Sequence, residues 1–283
     1  MKRIIQRALV VIVSLLVGLT EAGWAQTKRA ERSATKPFVL GVVDTIASKE
    51  LGETRTLNIY LPPDYAKDSM ARYPVIYLLD GSADEDFIHI AGIIQFAAFP
   101  WVNLLPKSIV VGIANKDRRR DFTYPTTVDK DKKDFPTTGH SDAFIAFIEK
   151  ELQPYIRANY SSHPAKTIIG QSLGGLLATE ILFEKPSLFT QYIIVSPSLW
   201  WDNESLLTRK PAFLNPDFKQ PIAVYVGVGK EGKVMEADAN RLVDLLKQTH
   251  NPAIKVTFNY FGDKNHATIF HQAVYQAFEQ LNR

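Results

Sequence analysis

Thr167-Ile168-Ile169-Gly170-Gln171-Ser172-Leu173-Gly174-Gly175 sets a short apolar run against Gly-x-Ser-x-Gly, followed by an Ala- and Leu-rich stretch. The run predicts a buried strand and the stretch after it a helix. A strand turning this sharply into a helix lifts one serine hydroxyl clear of the backbone. The crowded turn needs small residues, expected here at Gly170 and Gly174. The helix would aim its free N–H groups at the space above Ser172. An acyl-transferring serine requires this arrangement. The competing reading is a glycine-rich turn with an incidental serine, and the strand and helix context argues against it.

Outward from this turn, apolar runs alternate with amphipathic stretches. Strands are expected at 38–46, 54–61, 74–79, 108–114, 167–169, 191–195, 222–228 and 254–261. The first two alternate apolar and polar residues, as solvent-facing antiparallel strands do, whereas the later ones are continuous Val/Ile runs suited to burial on both faces. Helices are expected at 141–160, where Phe144, Ile145, Phe147, Ile148 and Leu152 form a stripe and Pro154 breaks or kinks it, and at 173–183, 235–247 and 267–281. This rhythm predicts an α/β fold: a mostly parallel, doubly wound sheet with antiparallel strands at its N-terminal edge. Residues 116–138 interrupt it as a long charged connection, and such loops often carry function.

A serine hydroxyl is a weak nucleophile, so Ser172 needs a base and the base an orienting acid, in the chain order Ser, Asp or Glu, His. His250, His266 and His271 follow it. His266 stands in the loop between the last strand and the last helix, at the strand end where such sheets bind ligands. For the acid, Glu231 follows the preceding strand and can converge on the same edge, with Asp238 and Asp263 as rivals. An oxyanion needs two backbone donors. One is expected from the N–H of Leu173 and the other from the Asp80-Gly81-Ser82 turn, with Ser82 preferred to Gly81. Arg119 and Arg120, in Asn115-Lys116-Asp117-Arg118-Arg119-Arg120-Asp121, are candidates for binding an anionic or oxygen-rich substrate, against Arg–Asp pairs that merely brace the loop. Trp200, in Ser196-Pro197-Ser198-Leu199-Trp200-Trp201, is a candidate for stacking an acyl group, against packing of that loop onto the core.

The 283 residues can bury a sizeable core, and a formal charge of +3 without a basic, aromatic-interleaved stripe argues against a nucleic-acid partner. The absence of cysteine excludes disulfides, thiolate zinc sites and a cysteine nucleophile, and suits an oxidising compartment. Residues 1–25 read as a secretory signal peptide: Lys2, Arg3 and Arg7 precede the apolar stretch 8–19, and Gly23 and Ala25 mark a cleavage point before Gln26. A flexible tail at 26–37 and a single domain at 38–283 are expected to follow, placing the mature protein in the periplasm or outside the cell, without stable membrane insertion.

Four segments carry a resemblance: Y-P-V-I-Y-L-L-D-G at 73–81, G-I-A-N-K-D-R-R-R-D-F-T at 112–123, I-G-Q-S-L-G-G at 169–175 and S-P-S-L-W-W at 196–201. Together they resemble the putative esterase family of α/β hydrolases, which holds siderophore trilactone esterases, feruloyl esterases, S-formylglutathione hydrolases and mycolyltransferases. The resemblance spans about residues 38 to 282 and looks closest to the siderophore-esterase branch. It implies the α/β-hydrolase fold and a serine ester hydrolase acting on a small-molecule ester without metal or cofactor. Ser172 and His266 match the family's nucleophile and base; Glu231 matches the variable acid position less securely. An acyltransferase on the same residues, or a non-catalytic ligand-binding protein on the same scaffold, are the alternatives. The acyl group, the alcohol and the oligomeric state are not legible in the sequence.

Overall fold

The computed structural model describes residues 35–67, 70–215, 217–248 and 250–282. The expected signal peptide and residues 26–34 of the expected tail lie outside these; residues 35–40 have no regular structure.

The strands are β1 (Gly41–Ser48), β2 (Glu53–Tyr60), β3 (Tyr73–Leu78), β4 (Ile109–Ile113), β5 (Ser162–Gln171), β6 (Gln191–Val195), β7 (Ile222–Gly229) and β8 (Ile254–Phe261). They form one sheet in the order β1-β2-β4-β3-β5-β6-β7-β8. β1–β2 and β2–β4 pair antiparallel, and every pairing from β4 through β8 is parallel. The expected architecture is therefore the observed one. β5 is longer than its apolar run suggested, because Ser162 to Lys166 extend it into a polar first half.

Successive strand residues face opposite sides, and each side has its own core. Val75, Tyr77, Ile168, Tyr192, Ile194, Val224 and Val226 pack with α4 (Ser141–Phe147), α6 (Leu173–Glu184) and α7 (Lys233–Lys247). Leu78 pairs in register with Ile169, Ile169 with Ile193, and Ile193 with Tyr225. This row faces the other way, onto α1 (Phe87–Ala97) and α8 (Phe270–Leu281). Helix α6 is buried along nearly its whole length. Each fully buried Leu or Ile there contributes roughly 1.5–3 kcal/mol, so the residue at its N-terminus stands on a rigid base.

Three local differences from the sequence reading have physical causes. Helix α1 escaped it because Phe-Ile-His-Ile-Ala-Gly-Ile-Ile is apolar on every side and shows no stripe. The 141–160 helix divides into α4, a π-helical turn (Ile148–Leu152) and α5 (Gln153–Asn159). Pro154, which has no N–H to give, sits at the start of α5, where its absence is tolerated. The 116–138 connection contains two short helices, α2 (Arg118–Phe122) and α3 (Asp129–Asp134). Among the described residues no helix is long and apolar enough to cross a membrane.

Candidate active site

The chain runs from β3 to β4 on one side and then returns to lay β5 on the other, so the sheet reverses its winding between β3 and β5. Such a crevice, at the carboxyl ends of the strands, is where open α/β sheets bind ligands. The loop after β3 and the turn after β5 meet there.

Ser172 is the N-cap of α6, with φ 60° and ψ −120°. A non-glycine residue in this region costs of order 1–3 kcal/mol and persists only where the surroundings enforce it. The enforcing bonds run to the β6 end: the Ser172 N–H donates to the Val195 carbonyl (3.1 Å), and the Ser172 carbonyl accepts from the Ser198 N–H (3.0 Å). A Cβ on Gly170 would lie 2.4 Å from the Gly174 carbonyl oxygen, so only glycine fits. The second crowded position differs from expectation. Gly174 would meet nothing closer than 3.3 Å, whereas a Cβ on Gly175 would stand 2.9 Å from Pro197 Cα.

His266 lies in the β8–α8 loop and Glu231 in the β7–α7 loop, and their side chains meet, Nδ1 to Oε2, at 2.5 Å. The Glu231 side chain is 2% exposed and that of His266 47%. The Glu231 Oε1 accepts from the Ser196 hydroxyl (2.5 Å) and the Gly229 N–H (3.0 Å). Burial alone would raise the pKa of this carboxyl; the His266, Ser196 and Gly229 hydrogen bonds outweigh it and hold the group below the ordinary value. With Nδ1 engaged by Glu231, Nε2 is the ring nitrogen left over. The Lys230 N–H donates to the Lys264 carbonyl (2.7 Å), tying the two loops together, and the Gln171 side-chain amide donates to the His266 carbonyl (2.5 Å). Ser172 and His266 line one cleft of about 450 Å³ with Asp80, Glu85, Asp86 and Arg118.

The rival acids stand elsewhere. Asp238 is buried in α7, its carboxyl pushed up to about 6 by burial and by Glu204. Asp263 is 71% exposed and pairs with Lys264. Of the other histidines, His271 leans on His89 with rings 4.3 Å apart, and His250 is exposed beyond α7.

Leu173, as the first residue of α6, has an N–H without an intrahelical partner. The Gly81 N–H is committed to the Ile113 carbonyl (3.0 Å). The Ser82 hydroxyl accepts from the Asn115 N–H (3.2 Å), and Ser82 lines neither cavity beside Ser172. The turn is anchored instead through Asp80, at φ 54°, whose carboxylate takes a two-pronged ion pair from Arg118 (2.5 and 2.9 Å).

A second cavity of about 220 Å³ opens on the other side of Ser172, lined by Arg119, Phe135, Leu173, Ser198, Trp200 and Trp201, with Arg118 shared between the two. Arg119 and Trp200 are thus at the expected place. Arg120 is not: it bonds Glu53 (2.7 Å) and Asp121 (2.8 Å), and Arg55 joins the same Asp121 from beneath. A guanidinium facing two carboxylates under its own loop braces that loop. Trp201 is core, 1% exposed, with its indole N–H on the Tyr124 carbonyl (2.9 Å).

Two residues of the site were not singled out from sequence: Ser196, which holds Glu231, and Ser198, whose hydroxyl lies 3.2 Å from that of Ser172. Their one legible signal was position, directly after a parallel strand. Among the described residues no group of three or more His, Asp or Glu side chains could hold a metal ion.

Residues 48–280 match the family model described as "Putative esterase". The ferri-bacillibactin esterase of Bacillus subtilis is 29% identical over 262 residues, which span 86% of this chain and 90% of that one. A crystal structure of the BES protein from Bacillus cereus superposes with a TM-score of 0.78 at 28% identity, covering 90% of this chain and 99% of the other. An IroE-like serine hydrolase from Shewanella oneidensis gives 0.75 at 29% identity, covering 86% and 80%. The chain belongs to the putative esterase family of α/β hydrolases, and it is a carboxylic-ester hydrolase.

Proposed function

We propose that this hydrolase acts through Ser172, His266 and Glu231 by way of an acyl-enzyme. One observation carries the reading: a histidine bonded at 2.5 Å to a buried, multiply bonded glutamate stands on the rim of the cleft that contains an elbow serine. In the first half-reaction Ser172 Oγ bonds to the ester carbonyl carbon while its proton passes to His266 Nε2. The bond to the alcohol oxygen then breaks as His266 returns that proton to it. Water repeats the sequence and releases the acid. Glu231 holds the imidazole and offsets the charge it gains. The oxyanion is met by the N–H of Leu173, at the start of α6. Arg119 and Trp200 contact the substrate.

The curated relatives support a siderophore ester as substrate: beside the ferri-bacillibactin esterase stand a siderophore enterobactin esterase of Emericella nidulans and a siderophore triacetylfusarinine C esterase of Aspergillus fumigatus. The leader-like segment at 1–25 places the mature chain, with its expected tail and single domain, in the periplasm or outside the cell. Ser172→Ala is expected to abolish hydrolysis of a p-nitrophenyl ester and labelling by a fluorophosphonate probe; activity retained by the variant refutes the nucleophile. Chromatography of ferric trilactone and trihydroxamate esters incubated with the enzyme tests the substrate, and loss of neither rejects it. Mass spectrometry of the exported protein's N-terminus tests the leader, and an intact Met1 on a secreted chain rejects it.

A further inference from the structure

The two cavities beside Ser172 differ in one respect that decides their use: His266 lines only one of them. The base that takes the serine proton must return it to the leaving oxygen. The alcohol oxygen therefore lies on the His266 side of the attacked carbon, and the acyl group is left the other side. Resting on the triad reading above, we propose that the open cleft receives the alcohol and the Trp200 chamber the acyl group, and that the two halves select for opposite charge.

The acyl chamber, at about 220 Å³, is smaller than a typical small-molecule site. Its walls are Phe135, Trp200 and Trp201, with the Arg119 guanidinium 4.5 Å over the Phe135 ring. Among the described residues Arg119 has no ion pair, so its charge is open to a substrate. Flat rings against aromatic walls and a guanidinium edge facing oxygen are the complementary chemistry. The chamber therefore fits a short or planar acyl group, above all an aromatic one bearing oxygens.

The alcohol cleft has the reverse sign. Arg118 is matched by Asp80. Glu85 meets the uncharged side-chain amide of Asn115 (3.1 and 3.0 Å), and Asp86 meets His89 (2.9 Å). Asp86 shares His89, which leaves the Glu85 carboxylate charge over beside the leaving group. A neutral or cationic alcohol is favoured there and an anionic one repelled. At the scissile bond of the siderophore ester proposed above, the acyl part is thus short or aromatic and oxygen-rich, and the alcohol part uncharged or positively charged.

The test uses the mature enzyme and three benzoates: those of choline, of 3,3-dimethylbutanol (its uncharged isostere) and of 4-hydroxybutanoate, together with acetylcholine for the acyl comparison. kcat/KM is expected to fall from the cationic to the anionic alcohol by about tenfold at low salt and less at high salt. Glu85→Gln is expected to compress that series and leave the benzoyl-to-acetyl ratio in place. Trp200→Ala should do the opposite, lowering the benzoyl preference and sparing the alcohol series, with Trp200→Phe as the milder variant where folding suffers. A flat alcohol series in the wild type overturns the partition, as does a Trp200 variant that alters only alcohol selectivity. Fluorophosphonate labelling of the same preparations separates the two readings. A labelled Ser172 with a flat series rejects the partition alone, and an unlabelled one rejects the triad with it.

Discussion

Glu231 and Glu180 are both glutamates withdrawn from water, one at the rim of the sheet and one inside helix α6, and their surroundings shift their carboxyl pKa values in opposite directions. Glu231 accepts from His266, Ser196 and Gly229 and is held below the ordinary carboxylate range. Glu180 is 2% exposed and accepts one bond, from Ser141 (2.9 Å), while its other oxygen has no partner. Burial pushes its carboxyl up to about 8. Desolvation is common to both; the number of donors aimed at the carboxylate decides which proton is lost. The rim can supply those donors because three strand-end loops converge there, and a helix interior cannot.

The strongest way to break this contrast is to neutralise the rim group. Glu231→Gln is expected to lower kcat by about 10⁴-fold, because the amide favours the wrong imidazole tautomer, with the fold intact by circular dichroism. Wild-type kinetics in that variant would remove Glu231 from the site. Ser196→Ala sharpens the contrast by removing one donor. With that hydrogen bond gone, the carboxylate holds a proton more tightly. The acid limb of the kcat/KM profile should therefore move to higher pH, with a loss of about tenfold in rate. An unshifted limb would show that Ser196 merely packs.

The smallest effect on activity belongs to Glu180→Gln, which should leave kcat/KM unchanged and act on stability. Glu180 has a folded pKa near 8, raised above its ordinary value of 4.5. Its neutral form is therefore the one the fold accepts, and its contribution is complete below about pH 4.5. As pH rises toward 8 the unfolded chain releases a proton that the folded chain keeps, and stability falls. The glutamine variant lacks that loss. Melting curves between pH 5 and 8 should show wild type declining relative to Glu180→Gln by several degrees. Parallel curves would mean that Glu180 is ionised in the folded state.

What was legible in the chain follows the range over which each signal acts. Ser172 announced itself because its geometry is set by neighbours one and two residues away. The buried strands did so because Val/Ile runs of five residues have few other uses. Arg120 was misplaced for the opposite reason: Arg119 and Arg120 are adjacent and alike, and only Glu53, on the antiparallel strand β2, distinguishes brace from pocket wall. Helix α1 hid because it is apolar all round. Ser196 and Ser198 stand in the quoted Ser-Pro-Ser-Leu-Trp-Trp segment, but a serine after a strand reads as a turn wherever its hydroxyl points.

The sequence by itself determined the sheet class, the elbow and the short roster of side chains able to serve it, because strand burial and turn geometry are written in contiguous residues. Only the tertiary structure decided which acid meets His266, which arginine faces the pocket and which glutamate keeps its proton. Those outcomes depend on donors and counter-charges brought in from strands tens of residues apart, and electrostatic interactions in a dry interior are set by distance in space rather than separation along the chain.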